Sequence, residues 1–223
     1  MLATLFGGGL PQLVMFDLDG TLIDSVPDLA AAVDQMLAMR GRPPAGIERV
    51  REWVGNGSPV LVRRALAGSI GHEGVDEDEA ALALQDFLRA YEGSHAATTV
   101  YSGVSELLQW LRSGSVRLAV ITNKPERFVA PLLEEKGLGS FDWIIGGDTL
   151  PVKKPDPAGL IQVMHEAGVA PQHSLFVGDS RNDVRAARAA GVKVVAVSYG
   201  YNHGRPIEEE QPDLLVDSLD ALI

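Results

Sequence analysis

Apolar positions fall along this chain in two textures. Residues 13–16 form an uninterrupted apolar run, the length of a strand covered on both faces. Similar runs recur at 118–121, 143–145, 175–177 and 193–197, with a last edge strand expected at 213–216. Between them apolar residues recur every three to four positions, as at Val104, Leu107, Leu108 and Leu111, which predicts helices. Further helices are expected at 125–136, closed by Gly137, from Asp156-Pro157 to Gly168, and at 181–190, closed by Gly191. The other texture fills residues 26–95, where only helical spacing appears. There 27–40, 46–54, 60–67 and 76–91 read as helices, with Ser58 as N-cap and Pro59 as first helical residue of the third. Strands alternating with helices predict an α/β fold, doubly wound around a mainly parallel sheet. The expected division is a core of residues 1–25 and 96–223 with a helical insertion at 26–95.

Composition narrows the partners. Nineteen Lys and Arg against thirty Asp and Glu give a net charge of −11, which disfavours nucleic acid and anionic membrane and obliges any anionic substrate to meet local positive charge. With no cysteine, thiolate metal sites and cysteine nucleophiles are excluded. No apolar stretch is long enough to span a bilayer, and residues 1–10 lack a basic segment and read as a flexible, glycine-rich leader. A cytoplasmic protein, monomer or homodimer, is expected.

In a parallel sheet ligands gather outside the carboxyl ends of the strands. The first run is followed by Asp17 and Asp19, the second by Thr122 and Asn123, the third by Gly146-Gly147-Asp148 and then Lys153-Lys154-Pro155, the fourth by Gly178, Asp179 and Asp183. Residues two apart on extended backbone point the same way, so Asp17 and Asp19 should repel unless a cation or a shared proton intervenes. A hard metal with oxygen ligands, such as Mg²⁺, suits such a pair. Singly, each feature has a plainer use. Thr122-Asn123 can cap a helix, Lys153 and Lys154 can lie in a solvated loop, and Asp179, Ser180 and Asp183 can serve a helix start. Together they supply a nucleophile, a second acid, a hydroxyl and an ammonium, as phosphoryl transfer requires.

Asp17-Leu18-Asp19-Gly20-Thr21, Thr122, Lys154-Pro155-Asp156-Pro157 and Gly178 to Asp183, in this order, resemble the four motifs of haloacid dehalogenase superfamily phosphatases. The resemblance implies a Rossmann-like core carrying the small α-helical cap of the C1 type. It implies Asp17 as nucleophile, Asp19 as general acid and base, and Mg²⁺ held by Asp17, the Asp19 carbonyl and Asp179, with Asp183 behind them. Thr122, Lys154 and the backbone at Leu18 and Asn123 would receive the phosphoryl oxygens.

Within that family, residues 17–26, the turn Trp53-Val54-Gly55-Asn56-Gly57 and residues 61–66 are similar to bacterial phosphoglycolate phosphatases. A Gly-Asn-Gly turn exposes backbone N–H groups suited to a small carboxylate, and Arg63 or Arg64 can add charge. The expected substrate is a small phosphate monoester, 2-phosphoglycolate first. A sugar-phosphate mutase keeps all four motifs and stays open. A phosphonate hydrolase would need a cap lysine, and residues 26–95 contain none. A dehalogenase would not need Asp19. A receiver-type signalling domain shares the acids but neither the insertion nor the acid at Asp19. The five histidines and three tryptophans lie outside the motifs and receive no role.

Overall fold

A computed structural model of the chain describes residues 1–92 and 95–223; Gly93 and Ser94, at the end of the expected insertion, lie outside the described residues. Six parallel strands form one sheet: β1 (Leu13–Phe16), β4 (Arg117–Ile121), β5 (Trp143–Ile145), β6 (Ser174–Gly178), β7 (Lys193–Val197) and β8 (Leu214–Val216). They lie in the order β5-β4-β1-β6-β7-β8, with β1 central. The apolar runs are buried on both faces because side chains alternate between two separate cores. Val14, Phe16, Val120 and Val177 enter one; Leu13, Met15, Ile121 and Phe176 enter the other. Helices α6 (Val104–Ser113), α7 (Val129–Glu135), α8 (Ala158–Ala167) and α9 (Arg181–Ala189) connect the strands.

Four helices occupy the inserted stretch: α2 (Val26–Ala38), α3 (Ile47–Trp53), α4 (Ser58–Ala67) and α5 (Glu77–Tyr91). They bury a core of their own around Val33, Met36, Trp53, Phe87 and Tyr91, joined from outside the insertion by Phe128 and Tyr201. Asp76 caps α5 by accepting the Glu79 N–H at 2.9 Å. Two short antiparallel strands, β2 (Ile23–Asp24) and β3 (Thr99–Val100), frame the crossing points, with Ile23 opposite Val100.

Three expectations change. The leader begins with a one-turn helix, α1 (Leu2–Leu5), whose Leu2 is fully buried in the core and whose Leu5 carbonyl accepts from Lys193. Helix α4 starts one residue early, with Gly57 as N-cap and Ser58 already helical. The helix expected at 125–136 divides into a 3₁₀ turn, Glu126–Phe128, and α7. Pro131 explains that division, because its ring would clash with the Arg127 carbonyl in a continuous α-helix.

Candidate active site

The carboxyl ends of β1, β4 and β6 bring the sequence-expected residues to one place. Asp17 follows β1, anchored by its N–H to the Val177 carbonyl at 2.9 Å. Its Oδ1 accepts the Leu18 N–H at 2.7 Å and pairs with Lys154 Nζ at 2.9 Å. The Leu18 side chain is wholly buried in the core. Lys154 Nζ also meets Asp183 Oδ1 at 2.7 Å and lies 5.2 Å from the Phe176 ring centroid. Asp183 has little capacity left, since its Oδ2 accepts from the N–H groups of Asp179 (3.1 Å) and Ser180 (2.9 Å) and from Ser180 Oγ (2.7 Å). With Ser180 it forms the capping box of α9, so its helix-start role and its grip on Lys154 coexist.

Asp179 is held on both oxygens, by Thr21 Oγ1 at 2.8 Å and by the Tyr201 N–H at 2.6 Å. A side chain at Gly20 (φ +88°) would overlap Asp179 Oδ2, so this close approach depends on glycine. Carboxylate oxygens of Asp17, Asp179 and Asp183 all lie within 4.8 Å of one another. Lys154 pairs with two of these acids, Asp17 and Asp183, and no ammonium pairs with Asp179 among the described residues. Burial, with the Asp183 charge nearby, pushes Asp17 up to about 7 against the pull of Lys154. Burial and the neighbouring charges of Asp183 and Asp17 push Asp179 well above the carboxylate range. Burial opposes the Lys154 charge, yet Asp17 and Asp183 outweigh it and raise that group. An all-oxygen donor set short of positive charge fits a hard divalent cation such as Mg²⁺.

Asp19 is served separately. Lys124 Nζ reaches its Oδ1 at 2.9 Å and Oδ2 at 3.1 Å, and Ser25 Oγ donates to Oδ1 at 2.5 Å. Lys124 is buried with its ammonium 4.6 Å from the Tyr91 ring centroid; burial works against its charge, and Asp19 and Tyr91 more than restore it. The like charges at Asp17 and Asp19 are therefore relieved by two different lysines, one from the β4 end and one from the β5 side.

Both carboxylates open on one cavity of about 40 Å³, which Thr122, Asn123 and Lys124 also line from the sheet side. Thr122 is buried, and its Oγ1 accepts the Lys124 N–H at 3.2 Å. The opposite wall is Leu29, Leu61 and the turn Val54, Gly55, Gly57 and Ser58. The turn is fastened down through carbonyls. Gly55 O accepts from Asn123 Nδ2 at 2.9 Å and Asn182 Nδ2 at 3.1 Å, and Asn123 Nδ2 also donates to Lys154 O at 2.9 Å. Glu52 O meets His203 Nδ1 at 3.0 Å. Asn56, Arg63 and Arg64 do not line the cavity. Arg64 turns inward to donate to Trp53 O at 2.6 Å, and Arg63 turns outward to Glu77. Helical phase separates these neighbours by about 100°, and neither faces the cavity.

Sequence reading passed over Lys124, Ser25, Asn182 and His203. The signal for Lys124 was its place directly after Thr122-Asn123 at a strand end. Asn182 lies within the fourth motif and Ser25 within the stretch that follows the first, but neither had a role there, and His203 is brought in by a tertiary contact without a pattern of its own.

A family profile described as haloacid dehalogenase-like hydrolase matches residues 14–197. The chain is 65% identical over 98% of its length, and 80% of the relative's, to phosphoglycolate phosphatase 1 of Pseudomonas aeruginosa. It is 67% identical to phosphoglycolate phosphatase of Pseudomonas fluorescens, covering 98% of this chain and 81% of that one. A crystal structure of a predicted phosphoglycolate phosphatase from Haemophilus somnus superposes with a TM-score of 0.89 at 38% identity, covering 95% of this chain and 96% of the other. The chain belongs to the haloacid dehalogenase-like hydrolase family, as an enzyme resembling its phosphoglycolate phosphatases.

Proposed function

We propose that this hydrolase cleaves small phosphate monoesters, with 2-phosphoglycolate as its substrate, through an aspartyl-phosphate on Asp17. The observation that supports this most is that two carboxylates face one cavity, each with its own ammonium. Such a pair can divide two tasks between them. Asp17 attacks phosphorus as the bond to the ester oxygen breaks, which splits one hard displacement into two easier ones. Asp19 gives its proton to the departing alkoxide, then takes one from the water that cleaves the aspartyl-phosphate. Lys154, Thr122 and the backbone at Leu18 and Asn123 meet the phosphoryl oxygens, and Lys124 and Ser25 fix the Asp19 carboxylate. Mg²⁺ held by Asp17, Asp179 and the Asp19 carbonyl, with Asp183 behind them, would supply positive charge to the phosphoryl group.

In this reading residues 26–95 are a cap over a core of 1–25 and 96–223. The turn at Gly55 and Gly57 closes the cavity over a ligand as small as a two-carbon acid. The names of the relatives support that choice of substrate. The protein would work in the cytoplasm on a soluble metabolite.

Phosphate release from 2-phosphoglycolate with Mg²⁺, with chelator, and by Asp17→Asn tests the reading. Wild-type turnover should need the metal, and the variant should lose at least a thousandfold while keeping its circular dichroism. Full activity of Asp17→Asn would sink the mechanism.

A further inference from the structure

We propose that Lys153 recognises the second negative charge of the substrate, selecting phosphate esters that carry an additional anionic group; this rests on the phosphatase reading above. The inner cavity opens beside a cleft of about 220 Å³ between the insertion and the sheet, and the two share Ser58 and Asn123 in their walls. Lys153 lines the cleft. Its Nζ lies against Gly57, 2.9 Å from where a Cβ on that residue would stand. Gly57 has φ +85° and belongs to the inner cavity's wall, so the ammonium lies against a residue that the reaction cavity also touches.

Three cations line the cavity and the cleft. Lys124 is committed to Asp19 at 2.9 Å and Arg127 to Glu92 at 2.9 Å. The Lys153 carbonyl accepts the Asp156 N–H at 3.0 Å, but among the described residues its ammonium has neither a hydrogen-bond partner nor an ion-pair partner. Asp148, the acid whose charge it feels, is turned to the Glu126 N–H at 2.8 Å. Lys153 is half-buried, where a charge without a counter-ion is costly and an incoming anion lowers that cost. Elsewhere in the inner wall Leu29, Val54 and Leu61 are apolar and Lys124 is already neutralised, so the backbone N–H groups of the turn at Gly55 and Gly57 offer only dipoles, to which Lys153 would add a full charge. On a protein of net charge −11, an unpaired ammonium at the seam is the group that can offset a carboxylate carried past Gly57.

The test compares 2-phosphoglycolate with ethyl phosphate, which keeps the two-carbon ester and lacks the carboxylate. The ratio of their kcat/KM values is measured for wild type, Lys153→Met and Lys153→Arg, with circular dichroism to confirm folding. Wild type should prefer 2-phosphoglycolate. Lys153→Met should reduce that preference at least tenfold, mainly through KM for 2-phosphoglycolate, and Lys153→Arg should recover most of it. A preference that survives Lys153→Met within twofold, or an equal loss on both esters, overturns the assignment alone. A wild type with no preference overturns both the assignment and the substrate reading.

Discussion

The two walls of the cavity are held in place by different chemistry. On the sheet side, Asp17 and Asp183 share Lys154, and Asp19 takes Lys124, through contacts of 2.7–2.9 Å between buried or nearly buried groups. On the insertion side, the wall hangs from neutral carbonyls: Gly55 O on two amides, Trp53 O on Arg64, Glu52 O on His203. Removing a partner from the first wall strands a buried charge, at a cost of about 3–5 kcal/mol. Removing Asn123 or Asn182 from the second leaves Gly55 O with its other amide donor, at about 0.5–1.5 kcal/mol. The sheet wall is thus expected to tolerate the loss of a partner far less than the insertion wall does.

The sharpest way to break this contrast is Lys154→Met, which leaves Asp17 and Asp183 buried without a cation. Its stability in urea should fall by about 3–5 kcal/mol, and phosphate release should be lost. A variant as stable as wild type would show that the sheet wall does not depend on its ion pairs.

Next in size is the effect of pH on the metal-free protein. In the fold Asp17 holds its proton up to about 7, whereas an unconstrained aspartate releases it near 3.8. The folded state therefore binds more protons across pH 4 to 7, and its stability falls as pH rises through that window. With chelator, Tm should be lower at pH 7.5 than at pH 5, and added Mg²⁺ should raise it more at 7.5 than at 5. An equal gain at both values would mean that Asp17 is already ionised.

A smaller change is expected for Asn182→Ala, which leaves Gly55 O with Asn123 alone. The loss of about 1 kcal/mol from the docked turn should raise KM severalfold, with little change in urea stability. A fall in kcat at constant KM would instead place Asn182 in the chemical step. Smallest is Arg63→Ala, whose side chain pairs with an exposed Glu77 away from the cavity. Its KM and Tm should match wild type, and a raised KM would mean that α4 presents a different face during turnover.

The same contrast explains what could be read from the sequence. Asp17, Lys154 and Asp179 were legible because parallel strands deliver whatever follows an apolar run to one edge of the sheet. The split before α7 has its sequence sign as well, in Pro131. Lys124 stands beside the Thr122-Asn123 motif, yet its task depends on Asp19 and Tyr91, which are distant from it in sequence and meet it only in the fold. Arg63 and Arg64 looked alike in sequence and differ because helix rotation sends one to solvent and one to a buried carbonyl. Nothing in a short apolar stretch followed by three glycines announces that Leu2 is a core residue. Strand ends are a one-dimensional signal, whereas the contacts across the seam form only between elements.

The pairing of Ile23 with Val100 has an architectural consequence. The chain leaves the sheet domain and returns to it at neighbouring points, so everything between them is a detour that alters neither the order nor the register of the six parallel strands. A different set of helices spliced between the same two short strands would meet the same acids and lysines already in position. Recombination at this ribbon would exchange the inserted helices and leave the six-stranded core without need of rebuilding.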